Sequence, residues 1–270
     1  MTTLRRTVIV GAAGALALGA AATPALADDH TATVSVLHAV PGVPVDVYAN
    51  GEELIPDFQP GTLTDPLQLP AGSYDLAVYP AGSDPASTAP AASADDVEVS
   101  AGANATIVAH LTEAGAPVLT PFVNDTSAVP AGQARVTVRH TAAAPAVDVR
   151  ANGTAIVEGL TNPREASLVT AAGTVSADVV LAGTDTVAIG PADLTLAEGT
   201  STVVYAWGSG DAGYQLAVQT ISGLHSSPSG VPGGSGGLVD EGMPAGLVGF
   251  SLVGLVAAGL AARRLTATRG

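Results

Sequence analysis

One stretch of this chain occurs twice, and that limits what it can fold into more than any other feature. Val34-Ser35-Val36-Leu37-His38, then Val45-Asp46-Val47, then Asn50-Gly51 return as Val136-Thr137-Val138-Arg139-His140, Val147-Asp148-Val149 and Asn152-Gly153. His, Asp, Asn and Gly all recur at one offset of 102 residues. A fixed offset over several residue types predicts two copies of one module. The 270 residues leave room for two domains, and each copy, at about 90 residues, is long enough for a small core of its own.

Both copies read as β structure. Val34 and Val36 alternate with Ser35 and Leu37, Tyr74, Leu76 and Val78 with Asp75, Ala77 and Tyr79, and Val175, Ala177, Val179 and Leu181 line one face of a later strand. Short period-two runs broken by Pro and Gly predict antiparallel sandwiches, over 31–122 and 135–222, joined by a linker at 123–134. Asn50-Gly51 and Asn152-Gly153 suit two-residue type I′ hairpins, whose central residues both need positive φ.

The ends predict an address. Residues 1–27 have the pattern of an export signal: Arg5-Arg6, an apolar run from Val8 to Ala22, and a small-x-small site at Ala25-Leu26-Ala27. Ordinary Sec export fits better than the twin-arginine route, since Thr7, Val8 and Ile9 match that consensus poorly. Residues 223–243 are rich in Gly, Ser and Pro and read as a flexible stalk spanning roughly 25 Å. Residues 244–262 read as one transmembrane helix: Ala245 to Ala262 are 18 residues without a charge, about 27 Å as a helix. Arg263, Arg264 and Arg269 in the 263–270 tail would keep the C-terminus cytoplasmic and the modules outside. Sortase attachment to a cell wall is the alternative, but the stalk lacks the Leu-Pro-x-Thr-Gly signal.

Charge and composition exclude some functions. All 24 carboxylates but only four of the nine arginines lie between Asp28 and Glu241, a formal −20 over that span, so a nucleic-acid partner is not expected. With no cysteine, disulfides and thiolate metal sites are ruled out. The absence of lysine and the abundance of alanine fit a high-GC bacterial source.

The run His38-Ala39-Val40-Pro41-Gly42-Val43-Pro44-Val45-Asp46-Val47-Tyr48-Ala49-Asn50-Gly51, with Leu69-Pro70-Ala71-Gly72-Ser73-Tyr74 downstream, resembles the opening of the DUF4397 domain, a family of exported bacterial β-domains. Gly132 to Val136, His140 and Pro145 to Val149 resemble that opening a second time. Both copies depart from the family's Ser-Pro-Asp centre, with Val40-Pro41-Gly42 and Ala142-Ala143-Ala144. The resemblance implies an immunoglobulin- or transthyretin-like sandwich at a cell surface and carries no activity with it.

Few residues present chemistry. His38/Asp46 and His140/Asp148 are the candidate ligand sites, as two metal ligands or a base with its orienter, yet a catalytic zinc needs three protein ligands and a structural one four. Because each histidine shares its strand face with two valines, an inward ring bonded to Asp or backbone is the expected reading. Gly233-Gly234-Ser235-Gly236-Gly237 matches a serine-hydrolase motif but lies in the stalk, where no strand-turn-helix can shape a nucleophile. Asp95-Asp96-Glu98 and Glu52-Glu53 read as solvated edges rather than calcium loops. A mature start at Asp28 would give Asp28-Asp29-His30, whose amine, two amides and imidazole form a square-planar site for Cu(II) or Ni(II). The expectation is a membrane-anchored surface protein of structural, adhesive or scaffold type, with no catalysis and no cofactor. Its partners would be the membrane, through the C-terminal helix, and cell-envelope components or other surface proteins. The alternative is a binding module for a small ligand, envelope glycan or divalent metal.

Overall fold

Positive φ at Asn50 (52°) and Gly51 (78°), and again at Asn152 (50°) and Gly153 (78°), gives both copies the tight hairpin that their sequence demands. A computed structural model describes residues 30–226, and those residues are all β with no helix. The expected signal segment and transmembrane helix, together with Asp28 and Asp29, lie outside the described residues. Among the described ones, no helix is long and apolar enough to cross a membrane.

Module 1 comprises β1 (Thr31–Ala39), β2 (Val45–Ala49), β3 (Glu52–Phe58), β4 (Leu67–Pro70), β5 (Gly72–Pro80), β6 (Ala92–Val99), β7 (Asn104–Leu111) and β8 (Pro117–Val123). Module 2 repeats the series as β9 (Gln133–His140), β10 (Val147–Ala151), β11 (Thr154–Leu160), β12 (Glu165–Ala171), β13 (Gly173–Leu181), β14 (Val187–Leu196), β15 (Ser201–Ser209) and β16 (Gly213–Ile221). In module 1 the sheets are β4-β1-β7-β8 and β3-β2-β5-β6; in module 2 they are β12-β9-β15-β16 and β11-β10-β13-β14. The strand order is the same, down to the parallel pairing of the first strand with the seventh, β1 with β7 and β9 with β15. Four strands on four differs from the seven-stranded, four-on-three immunoglobulin constant domain.

Alternating side chains fill each sandwich. Ala32, Val34 and Val36 of β1 pack with Val47, Leu76, Val78 and Val97 of the facing sheet, and Val136 and Val138 of β9 pack with Val149 and Val179. The opposite face of these sheets is buried as well. Leu37, Ala39, Val108 and Phe122 of module 1 form one cluster with Val203, Tyr205 and Trp207 of module 2, so the β1 sheet and the β9 sheet meet across a seam. Arg139 is 1% exposed there, its guanidinium 4.5 Å from the Phe122 ring centre while its Nη1 donates to the Tyr205 hydroxyl. Tyr205 and Thr106 both donate to Gln219 Oε1, the latter across the seam. Tryptophan at a strand position predicts core, and Trp207 is buried, but between the modules rather than inside one.

The linker is built into the fold. Val129 is fully buried and donates its amide to the Leu224 carbonyl, while Ser226 N–H donates back to Val129. The folded part therefore extends four residues past the expected stalk boundary at 222, and those residues tie the chain's exit to the linker.

Candidate functional site

The repeated residues have explicit structural duties. His38 lies near the end of β1, 1% exposed, with Nε2 donating to the Val43 carbonyl at 3.2 Å and Nδ1 accepting from the Val40 amide at 3.4 Å. At the end of β9, His140 does the same with Pro145 (2.9 Å) and Ala142 (3.4 Å). The partners assign the tautomer: a carbonyl can only accept, so Nε2 carries the proton and the ring is neutral. Burial lowers the pKa of both rings, only partly offset by those carbonyls. Each ring clasps the loop that follows its strand, and neither keeps a nitrogen free for a metal or a substrate proton.

Neither ring bonds to the aspartate of its own copy, and the carboxylates have other partners. Asp46 Oδ1 accepts from the Asp57 amide and Oδ2 from the Gly82 amide, each at 2.8 Å. Asp148 accepts from Gly159 (2.7 Å) and Gly183 (2.9 Å), and those two amides hold its carboxyl below the usual carboxylate range. The donors Asp57, Gly82, Gly159 and Gly183 all have positive φ, which turns their amides toward the carboxylate. Each Asp therefore fastens the end of the third strand to the turn after the fifth. Asn50 and Asn152 likewise accept from the Asp75 and Ser176 amides.

His110, buried at the seam, has the other tautomer: Nδ1 donates to the Leu111 carbonyl at 2.9 Å, and Nε2 accepts from the Thr120 hydroxyl at 2.8 Å. Burial lowers its pKa, and nearby His140 adds to the effect. Asn162 bridges the Leu111 and Ala142 carbonyls across the seam. Among the described residues, no three of His, Asp and Glu converge as a metal site. His30 is exposed ahead of β1.

The feature most like a binding site is one the sequence motifs did not mark. Between the sheets of module 2 lies a hollow of about 310 Å³, walled by Val136, Val138, Leu168, Val175, Ala177 and Leu194 among others. The corresponding space in module 1 is about 30 Å³. Strand registers give the cause. Leu76 of module 1 is opposite Ala94, and Ala177 of module 2 is opposite Ala192 in the same place. By the same correspondence Tyr74 is replaced by Val175, Phe58 by Leu160 and Leu69 by Thr170. Leu194 and Leu196, where module 1 has Val97 and Val99, return only a methylene each. Aligning the two copies position by position was the signal available in the sequence.

A DUF4397 domain, a domain of unknown function, is found at residues 32–150. The match covers less than half of the chain. It runs through module 1 and on to β10, and so includes both repeated openings, with His38 and Asp46 and with His140 and Asp148. No curated protein matches the chain.

Proposed function

We propose that the chain is an exported bacterial surface protein whose two tandem DUF4397-like sandwiches, of the transthyretin-like kind, act outside the membrane as a stiff structural, adhesive or scaffold component without catalysis. A helix at 244–262 anchors it, and the 223–243 stalk sets the modules close to the membrane. The observation that carries this reading is the seam. Two modules whose facing sheets bury Leu37, Val108, Tyr205, Trp207 and Arg139 against each other, with the linker bonded at Val129, hold a fixed relative geometry. A spacer or presenting scaffold needs that property. The ring nitrogens of His38 and His140 and the carboxylates of Asp46 and Asp148 are engaged in holding loops, which favours structural roles for them.

Fractionation and protease shaving of cells producing the full chain test the reading. The protein should sit in the membrane fraction, and external protease should release a fragment ending between residues 227 and 243. A cytosolic protein, or one found in wall digests with 244–270 removed, would overturn the anchored arrangement. Mass spectrometry of the mature N-terminus decides the copper or nickel site, which exists only if the chain begins at Asp28. The small-ligand reading is favoured by one observation, the hollow in module 2.

A further inference from the structure

We propose that the hollow of module 2 is a binding site for an uncharged aliphatic chain. Its volume, about 310 Å³, is roughly twice that of an engineered 150 Å³ cavity that stays dry and takes up benzene, so it has room for about ten to twelve carbons. The walls are mostly aliphatic: Val136, Val138, Val175, Leu168, Leu194 and Val204 present no hydrogen-bonding group, and the polar side chains of the lining are Thr170, Asp178 and Asp193. Such a lining neither orients nor satisfies a sugar or a peptide, whose polar groups would lose water without replacement.

The charged groups set the sign of what can enter. Asp178 and Asp193 are the two ionisable side chains in the lining. Asp178 is tied by Arg150, whose Nε and Nη2 donate to its two oxygens at 2.8 and 2.6 Å, and Arg150 also reaches exposed Asp185 at 3.3 Å. Arg150 thus pairs with Asp178 and Asp185, and Asp193 adds a further carboxylate to the lining. This excess of negative charge repels a fatty-acid carboxylate or a phosphate and leaves a neutral chain as the occupant. Access is provided at the rim, where the lining residues Ile156 and Val218 are 43% and 48% exposed although both are large and apolar.

The two modules argue together that the hollow is a feature of module 2 and not of the fold. The same strand order closes to about 30 Å³ in module 1, where Leu76, Phe58 and Leu69 surround what remains of the space. The site is independent of membrane anchoring, so its failure and the failure of the surface-protein reading are separate results.

Photo-labelling with a diazirine-bearing analogue of 1-decanol, on the full chain in lipid nanodiscs, tests the proposal, with cross-linked peptides mapped by mass spectrometry. Labels should concentrate on β13, β14 and β16. Unlabelled 1-decanol should compete, and decanoate should compete about tenfold more weakly because of the rim carboxylates. Ala177→Leu, which installs the module 1 residue, should reduce labelling of module 2 about tenfold while the chain melts no lower than the parent. Should that variant misfold, Thr170→Leu, which installs the module 1 residue at another lining position, serves the same purpose. Labelling spread evenly over both modules, or undiminished in a folded filled variant, would overturn the proposal. Decanoate competing as well as decanol would overturn the choice of an uncharged ligand.

Discussion

Module 1 and module 2 share strand order, hairpins, histidine clasps and aspartate ties, yet one is packed solid and the other is hollow. The difference separates what the fold requires from what it tolerates. Residues that fix loops and turns recur because each satisfies backbone groups that have no other partner. Between the sheets, Val34, Val36, Val45 and Val47 recur as Val136, Val138, Val147 and Val149, but Leu76, Tyr74, Phe58 and Leu69 give way to Ala177, Val175, Leu160 and Thr170. At ~24 cal/mol per Å³, a rigid and empty hollow of about 310 Å³ corresponds to an upper limit on the order of 7 kcal/mol, comparable to the whole stability of a typical domain. Module 2 tolerates the space because its mouth admits solvent or a ligand and because the seam adds burial that an isolated module would lack.

The largest effect should come from making module 1 resemble module 2. Leu76→Ala installs the residue found at Ala177 and should destabilise the protein by about 2 to 5 kcal/mol, since the surrounding Val78, Val97 and Ile107 cannot collapse fully. Differential scanning calorimetry should show one transition at lower temperature, because the seam couples the modules. Two separate transitions would mean that the modules unfold independently and that the seam is weak.

Acid should act on both modules through the histidines. The folded state holds His38, His110 and His140 neutral by burial, while the unfolded chain takes up protons near the ordinary value of 6.5. Stability is therefore full above that value and falls as the pH drops from 6.5 toward the lowered folded values, by at most ~1.4 kcal/mol per pH unit for each ring. Urea melts between pH 5 and 8 would read this slope. His38→Gln and His140→Gln should flatten it equally, as their clasps match. His110 has no counterpart, Trp207 standing at its place in β15, so His110→Gln should flatten it further on its own.

Filling module 2 should have a smaller effect of opposite sign. Ala177→Leu should raise stability by about 1 to 2 kcal/mol, less than Leu76→Ala removes, because the walls of the hollow are not shaped to a leucine. A melting temperature below the parent's would show that module 2 has already closed around its own side chains.

The sequence made the frame of the fold legible and left the seam and the hollow hidden, for physical reasons. The Asn-Gly hairpins, the strand periodicity and the inward histidines follow from local rules, and the repeat made them visible twice. Period two also correctly separates Val136 and Val138 from Arg135, Thr137 and Arg139. It cannot tell that the second set is covered, since a polar face buried on another sheet looks like one in water. Arg139 at 1% exposure is the sharpest case. Strands β4 and β12 escaped the period-two reading because Leu67–Pro70 is short and broken by prolines and because Glu165–Ala171 mixes polar and apolar residues on an edge. The His–Asp pairs looked like a site because both residue types do chemistry. Only the backbone course showed that their partners are amides and carbonyls.

The smallest effect gives the cleanest control on the comparison. Asn50 and Asn152 occupy matching turns, with φ of 52° and 50° and acceptor distances of 2.9 Å and 3.2 Å to the Asp75 and Ser176 amides. Alanine at either position keeps the unfavourable positive φ and loses the bond, which should lower stability by roughly 1 kcal/mol. If cavity filling is what distinguishes the modules, Asn50→Ala and Asn152→Ala should agree to within about 0.5 kcal/mol in urea titrations, and Asn152→Ala, in the other module, should add to Leu76→Ala without coupling. A clearly larger loss in one module would show that the frames differ as well. The hollow would then reflect a generally looser module 2 rather than a space kept open by Ala177, Val175 and Thr170.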